Sequence, residues 1–298
     1  MSRRIPKQFH FVFGLKKQTE PFHLVHYLCI ESCRVVNRPE KIYFYYCYEP
    51  RGRYWELIRE KIEPVRVGLD DFISAFSYSD KRVEQYQYAH HSDFIRLEKL
   101  LEHGGVYADM DTLFVAEIPE GLYEQPFVLG REDDIICQTT GCRRRSLCNA
   151  FIISEKEAAF GEKWLEKMRE SFDGSWSNHS TLLPQILSEK HPDLIHIEPS
   201  RTFYKHMWTR EGIEMLFKGC DTDYTGVVSM HLWSHLWWSK RRRDFSDFHA
   251  GLLTEEYFRS VDSTYTVAAR RFLPLPSTRR RLKSMWPAAI QRLLSPGP

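Results

Sequence analysis

Asp109-Met110-Asp111 places two carboxylates around a single residue, just after the Gly104-Gly105 break and a short apolar stretch. On an extended segment residues i and i+2 share a face, so both side chains can converge on one hard divalent cation and hold it against a diphosphate. The glycines would bend the backbone and let a ligand approach. A lone DxD is as readily a solvated turn, so its neighbours matter. Upstream, Phe94, Leu97, Leu100 and Leu101 recur at three- and four-residue spacing among Arg96, Glu98, Lys99 and Glu102, which predicts a helix over residues 92–103. Asp93 and Arg96 are neighbours on that helix. They could be a surface ion pair of little consequence. The alternative is that Asp93 accepts from sugar hydroxyls while the Arg96 fork donates to phosphate oxygens. A helix ending in Gly-Gly, then a strand, then the carboxylate pair brings these groups into one neighbourhood, which favours the second reading.

Other elements must position them. Phe9, Phe11 and Phe13 alternate with His10 and Val12 up to Gly14, a period-two pattern that predicts a first strand. Residues 22–34 read as helix, 41–48 as strand, 53–61 as helix and 65–67 as a short strand. Such alternation implies crossover units and a mostly parallel sheet. With 298 residues, 42% hydrophobic and 14% aromatic, the chain can bury a substantial core. No apolar run approaches the roughly 20 residues that span a bilayer. Ser2-Arg3-Arg4 leads into Pro6 rather than into a secretory apolar segment, and seven cysteines do not suggest a disulfide framework. The expectation is a cytoplasmic protein, peripheral to the inner membrane surface if it meets a membrane at all.

Ser92-Asp93, Arg96, Leu100, Gly104-Gly105-Val106-Tyr107, Asp109 and Asp111 reproduce an SDxxRxxxLxxxGGxYxDxD signature. It resembles that of the glycosyltransferases with a DXD sugar-binding region, glycosyltransferase family thirty-two, whose core is similar to that of the clostridial glucosylating toxins. Residues 5–14 (IPKQFHFVFG) resemble the opening IPKxIHxIWxG of the same family, with Phe13 where Trp is usual. The resemblance implies a GT-A-like α/β fold and a metal-dependent transferase using a nucleotide-sugar donor. Asp111 would ligate the metal, Asp109 the ribose and the metal shell, Asp93 the sugar, and Tyr107 would belong to the donor site. Because ligands of open α/β sheets sit beyond the strands' carboxyl ends, Val12 and Phe13 would meet the nucleobase. The implied reaction moves a hexose or N-acetylhexosamine from a nucleotide sugar, UDP-linked ahead of GDP-mannose, to a hydroxyl of a glycan or glycolipid acceptor. It retains the anomeric configuration, by same-face attack since no nucleophilic carboxylate is identifiable.

The rest follows the family less closely. Asn149-Ala150-Phe151-Ile152 resembles its N-A-x-I strand, so Asn149 is either a donor-site group or a loop cap, and Asp133 or Asp134 could line the same pocket. Residues 180–187 stand where the family has a Gly-Pro turn that is absent here. The segment from His231 to Trp238 resembles the closing HxW…SW element, which makes His231, and His235 behind it, a metal ligand or a structural histidine. An imidazole ligand favours Mn²⁺ over Mg²⁺, which prefers oxygen shells. Cys137, Cys142 and Cys148 raise a zinc question, but Arg143-Arg144-Arg145 between them would repel a cation. Beyond Asp262 the sequence has no acidic residue and mixes Arg with Trp and Leu, so residues 1–262 are expected to form the catalytic domain and 263–298 a basic tail, either disordered or bound to an anionic membrane surface. A net charge of +2 gives no reason to expect nucleic acid as a partner. A metal-dependent phosphohydrolase, or a sugar-binding module without catalysis, would account for parts of the same pattern.

Overall fold

The computed structural model describes residues 5–78, 81–136, 141–237 and 251–275. Its centre is a seven-stranded sheet in the order β3-β2-β1-β4-β7-β6-β8, formed by β1 (Gln8–Val12), β2 (Lys41–Tyr46), β3 (Glu63–Arg66), β4 (Gly105–Ala108), β6 (Phe127–Ile136), β7 (Arg143–Ser154) and β8 (His196–Glu198). The pairs β1/β2, β2/β3, β1/β4 and β6/β8 are parallel, whereas β7 runs antiparallel to both β4 and β6. The mostly parallel α/β architecture expected from the alternation of elements is present. A separate two-stranded ribbon pairs β5 (Thr112–Phe114) with β9 (Ser229–His231).

Both faces of the sheet are covered, which is why β1 carries no solvent-facing polar set. Phe9, Phe11, Phe44, Val106 and Phe151 pack in one core; Val12, Tyr45, Tyr107, Leu129 and Ile152 pack in the other. His10 is fully buried, bonded to Tyr45 Oη (3.0 Å) and to the Gly104 carbonyl (2.8 Å). Burial pushes its pKa down to about 4, against the Gly104 contact, so the imidazole is neutral in that core. The helix Gln87–His103 begins earlier than its apolar spacing predicts and buries Phe94, Leu97 and Leu100 in the second core. Gly104 ends it at φ +68°. Gly105, at φ +116°, admits β1 rather than a ligand: a Cβ there would strike the Gln8 carbonyl oxygen.

The expected boundary after Asp262 falls inside the packed body. Ser263 caps the helix Thr264–Ala269 through a reciprocal pair with Thr266, and Tyr265, Ala269 and Phe272 are buried in the first core. These apolar side chains outweigh the basic character of Arg270 and Arg271, which bond to the Phe258 and Val115 carbonyls. The basic block at 240–243 and residues 276–298, on which a membrane-binding tail was expected, lie outside the described residues. Among the described residues no helix is long and apolar enough to cross a membrane.

Candidate active site

The carboxyl ends of β1 and β4 open into a cavity of about 630 Å³, the position where open α/β sheets collect ligands. Val12 and Phe13 line one side of it, and Asp93, Arg96, Asp109, Asp111, Asn149 and His231 line the interior. Phe13 is half-buried, its ring against Phe22 (5.4 Å) and His26 (4.6 Å), so one edge belongs to the core and the rest to the cavity. Tyr107 is buried and does not reach the wall. Its hydroxyl donates to Asp109 Oδ1 at 2.5 Å and its ring lies under the Arg96 guanidinium (4.5 Å), so it supports the site from beneath.

The DxD is a tight turn rather than an extended segment. Thr112 N donates to the Asp109 carbonyl (3.0 Å), while Asp109 N donates to Ala150 O (2.9 Å) and ties the turn to β7. Both carboxylates nevertheless converge, because the β5/β9 ribbon sets Thr112 opposite His231. His231 Nε2 lies 3.0 Å from Asp111 Oδ1 and 3.7 Å from Asp109 Oδ2. One ligand atom from each of the three residues falls within 4.8 Å of the others. Trp233 sits at φ +55°, a left-handed conformation unusual for a bulky residue, and the next amide, Ser234 N, donates to Asp111 Oδ2 at 2.7 Å. Burial opposes the charged form of Asp111, but His231 and Ser234 overcome it and hold the carboxyl well below the usual range. Burial raises Asp109 despite the nearby Arg96. Two carboxylates and an imidazole suit a divalent ion that accepts mixed oxygen and nitrogen ligands. The other ring nitrogen, His231 Nδ1, is buried and has no hydrogen-bond partner among the described residues.

Arg96 is used differently from its expected role. Its Nε donates to Ser92 O (3.2 Å), Nη1 to Asn149 O (2.8 Å) and Nη2 to Ser92 Oγ (3.3 Å), with Asp93 at 3.1 Å and Asp109 at 3.3 Å. The fork is satisfied from within the protein, so Arg96 clamps the helix, β7 and two carboxylates together instead of presenting free donors to a phosphate. Burial would weaken its charge, yet Asp109, Tyr107 and Asp93 leave it firmly cationic. Asn149 Nδ2 donates to Asp93 Oδ1 (2.7 Å), and Asn149 lines the cavity beside it.

Neither Asp133 nor Asp134 lines the cavity; Glu132 does. The Asp133 carbonyl accepts from Ser146 Oγ, and Asp134 pairs with Arg143 at the surface. Burial pushes the Glu132 carboxyl up to about 7, with a weak Ser146 contact (3.4 Å) opposing it. Sequence reasoning also missed Ser180 and Thr181, on the cavity wall in the turn that replaces the absent Gly-Pro pair, and Trp176 beside them. Trp233 and His235 line the cavity too, whereas Trp237 is core. Cys148 is buried and Cys142 exposed; Cys137, the third member of the possible zinc set, lies outside the described residues.

Residues 58–135 match the family described as the glycosyltransferase sugar-binding region containing a DXD motif. The chain is 29% identical over 240 residues to glucan organizing enzyme 1 of Cryptococcus neoformans var. grubii serotype A (strain H99), covering 78% of this chain and 63% of that relative. It thus spans less than two thirds of the relative's length. Among solved structures it is similar to the galactosyltransferase LgtC, solved with donor and acceptor sugar analogs (15% identity, 92% of this chain and 99% of that one, TM-score 0.48). It is also similar to the PaToxG glycosyltransferase (17% identity, 63% and 71% covered, TM-score 0.43). The matched segment, residues 58–135, is the one that carries Asp93, Arg96 and both DxD carboxylates, so the likeness to the DXD-containing sugar-binding region rests on the residues that line the cavity.

Proposed function

We propose that this protein transfers a hexosyl or N-acetylhexosaminyl group from a nucleotide sugar, UDP-linked before others, to a hydroxyl of a glycan or glycolipid, with retention and an α-linked product. The observation that carries the reading is the convergence of Asp109, Asp111 and His231 inside a cavity whose other wall offers Phe13 and Asp93. Those three residues would hold a divalent ion, Mn²⁺ in preference to Mg²⁺ because of the imidazole. When bound, the ion supplies Lewis-acid neutralisation of charge developing on the leaving diphosphate.

The chain's own residues do the rest. Val12 and Phe13 receive the base, with Phe13 presenting the part of its ring that is not in the core. Asp93 is held charged, since Arg96 and His179 outweigh its burial, and it accepts from donor-sugar hydroxyls. Glu132 lines the same wall, its carboxyl raised by burial, and would receive the proton of an incoming hydroxyl. Arg96 and Tyr107 keep Asp109 and Asp93 in register from below. The acceptor would enter past Trp176 and the turn bearing Ser180 and Thr181. Docking of the basic C-terminal sequence on an anionic membrane would bring a glycolipid acceptor within reach.

The experiment is incubation of the full chain with a panel of nucleotide sugars and Mn²⁺, reading free nucleotide release and product linkage. Release from one donor that rises with added glycan acceptor supports transfer. Release of phosphate from simple phosphomonoesters, with no donor turned over, would support the phosphohydrolase alternative instead.

A further inference from the structure

Asp93 is braced by a residue outside the signature. The turn Asn178–Leu182 is π-helical: the Ser177 carbonyl accepts from both Thr181 N (3.0 Å) and Leu182 N (3.1 Å). Such single π turns are rare and occur frequently at functional sites. Here the turn drives His179 inward, where its side chain is fully buried with Nε2 at 2.9 Å from Asp93 Oδ2. The turn is pinned from behind by Trp164 Nε1, which donates to the His179 carbonyl (2.9 Å). The imidazole is wedged edge-on against Phe172 (4.9 Å) and His90 (5.0 Å).

This contact is directional. An ionised carboxylate only accepts, so the nitrogen facing Asp93 must carry the proton. Among the described residues Nδ1 has no hydrogen-bond partner, so within them the ring's one polar contact is to Asp93. The other Asp93 oxygen, Oδ1, takes Asn149 Nδ2 (2.7 Å) and lies 3.1 Å from Arg96. Three donors from three elements therefore meet one carboxylate that offers about four acceptor positions. Roughly one position is left, and Asp93 lines the cavity. The next two residues of the same turn, Ser180 and Thr181, line the cavity as well.

We propose that His179 is a positioning residue: carried into the site by the π turn, it fixes the Asp93 carboxylate so that its remaining acceptor position faces a hydroxyl of the donor sugar. The inference rests on the transfer reading for its substrate, a nucleotide-linked sugar, but the brace itself is a property of the protein alone. Outer supports of this kind are worth roughly 10–100-fold in activity.

The test has two arms on the full chain. In the first, nitrogen-edited NMR of the ¹⁵N-labelled protein should give a slowly exchanging imidazole Nε2–H signal. His179→Gln should remove it, and Asp93→Asn should shift it and speed its exchange. In the second, donor turnover is read as nucleotide release from a UDP-hexose with Mn²⁺. His179→Ala should lower kcat/KM by roughly 10–100-fold while UDP inhibits parent and variant alike, and His179→Gln, which keeps a donor, should recover part of the loss. In an Asp93→Ala background, His179→Ala should change kcat/KM by less than about twofold, the signature of residues acting as a unit. Absence of the protected imidazole signal, or a full further loss in the Asp93→Ala background, overturns the proposal. A parent inert toward every donor, with the signal present, refutes the transfer reading and leaves the brace standing.

Discussion

Asp111→Asn keeps the shape of the side chain and removes its charge, at the residue where the site's contacts are densest. In the metal-free protein Asp111 accepts from Ser234 N at 2.7 Å and lies 3.0 Å from His231 Nε2. An asparagine carbonyl retains one of these contacts as a neutral hydrogen bond. The loss is then the difference between charge-assisted and neutral bonding, about 1–2 kcal/mol. Relief of repulsion between the two neighbouring carboxylates offsets part of it, so the variant folds. The contrast appears with the cation. A divalent ion at about 100 times its Kd stabilises the parent by about 2.7 kcal/mol, a rise of roughly 5–10 °C for a domain of this size. Without an anionic Asp111 the ion loses a hard ligand, and the rise should shrink below about 2 °C. The assay is thermal unfolding of EDTA-treated parent and variant across a Mn²⁺ titration, with nucleotide release measured in parallel. Release should fall by about two to three orders of magnitude, the equivalent of several kcal/mol of lost charge neutralisation. An equal Mn²⁺-induced rise in both proteins would remove Asp111 from the metal site.

Phe13→Ala should weaken UDP binding by about 1–3 kcal/mol through loss of a stacking face, measured calorimetrically; unchanged affinity would assign Phe13 to the core alone. Arg96→Lys should cost about 3–5 kcal/mol of stability in urea unfolding, because a compact ammonium cannot bridge Asp93, Asp109 and the Asn149 carbonyl at once, whereas a free phosphate-binding arginine would tolerate the change. In metal-free protein Glu132→Gln should raise stability by only about 1 kcal/mol at pH 5 and by about 3 kcal/mol at pH 8. The sign follows from a folded pKa of about 7, above the ordinary carboxylate value: the unfolded chain ionises first as pH rises, so the parent loses stability through that window while the glutamine does not. Truncation after Asp262 should unfold the protein by removing Tyr265, Ala269 and Phe272 from the core, read as loss of the cooperative thermal transition.

What could be read in the sequence was whatever local spacing controls. The helix under Phe94, Leu97 and Leu100, the strand preceding Asp109 and the cluster of Asp93, Arg96 and the two DxD carboxylates all depend on contacts a few residues apart. His231 was found by resemblance, since its partner lies 120 residues away. Roles set by tertiary partners were not legible. Arg96 reads as a phosphate donor until Asn149 and Asp109 are seen to fill its fork. Glu132 lost out to Asp133 and Asp134 because β6 carries register irregularities on both sides of it, and a shift of one residue exchanges the faces of a strand. The Ser234 amide is a backbone group and leaves no side-chain pattern. The helix after Asp262 did carry a signal, Ser263 three residues before Thr266 ahead of apolar residues, which the surrounding arginines obscured.

The β5/β9 ribbon gives the site a position in time as well as in space. At ordinary rates of synthesis His231 leaves the ribosome about 6–24 s after Asp111. In that interval β1 can already pair with β2 and β4, since all three precede the DxD. The two carboxylates then lie side by side with neither the imidazole nor the Ser234 amide to neutralise them. Closing the intervening loop costs about 4 kcal/mol in chain entropy beyond the short-range contacts. A cation gathered by the three ligands would offset that cost, so availability of the ion during synthesis should raise the yield of folded protein. Expression with the divalent ion withheld should then yield less folded protein, an effect separate from any on activity.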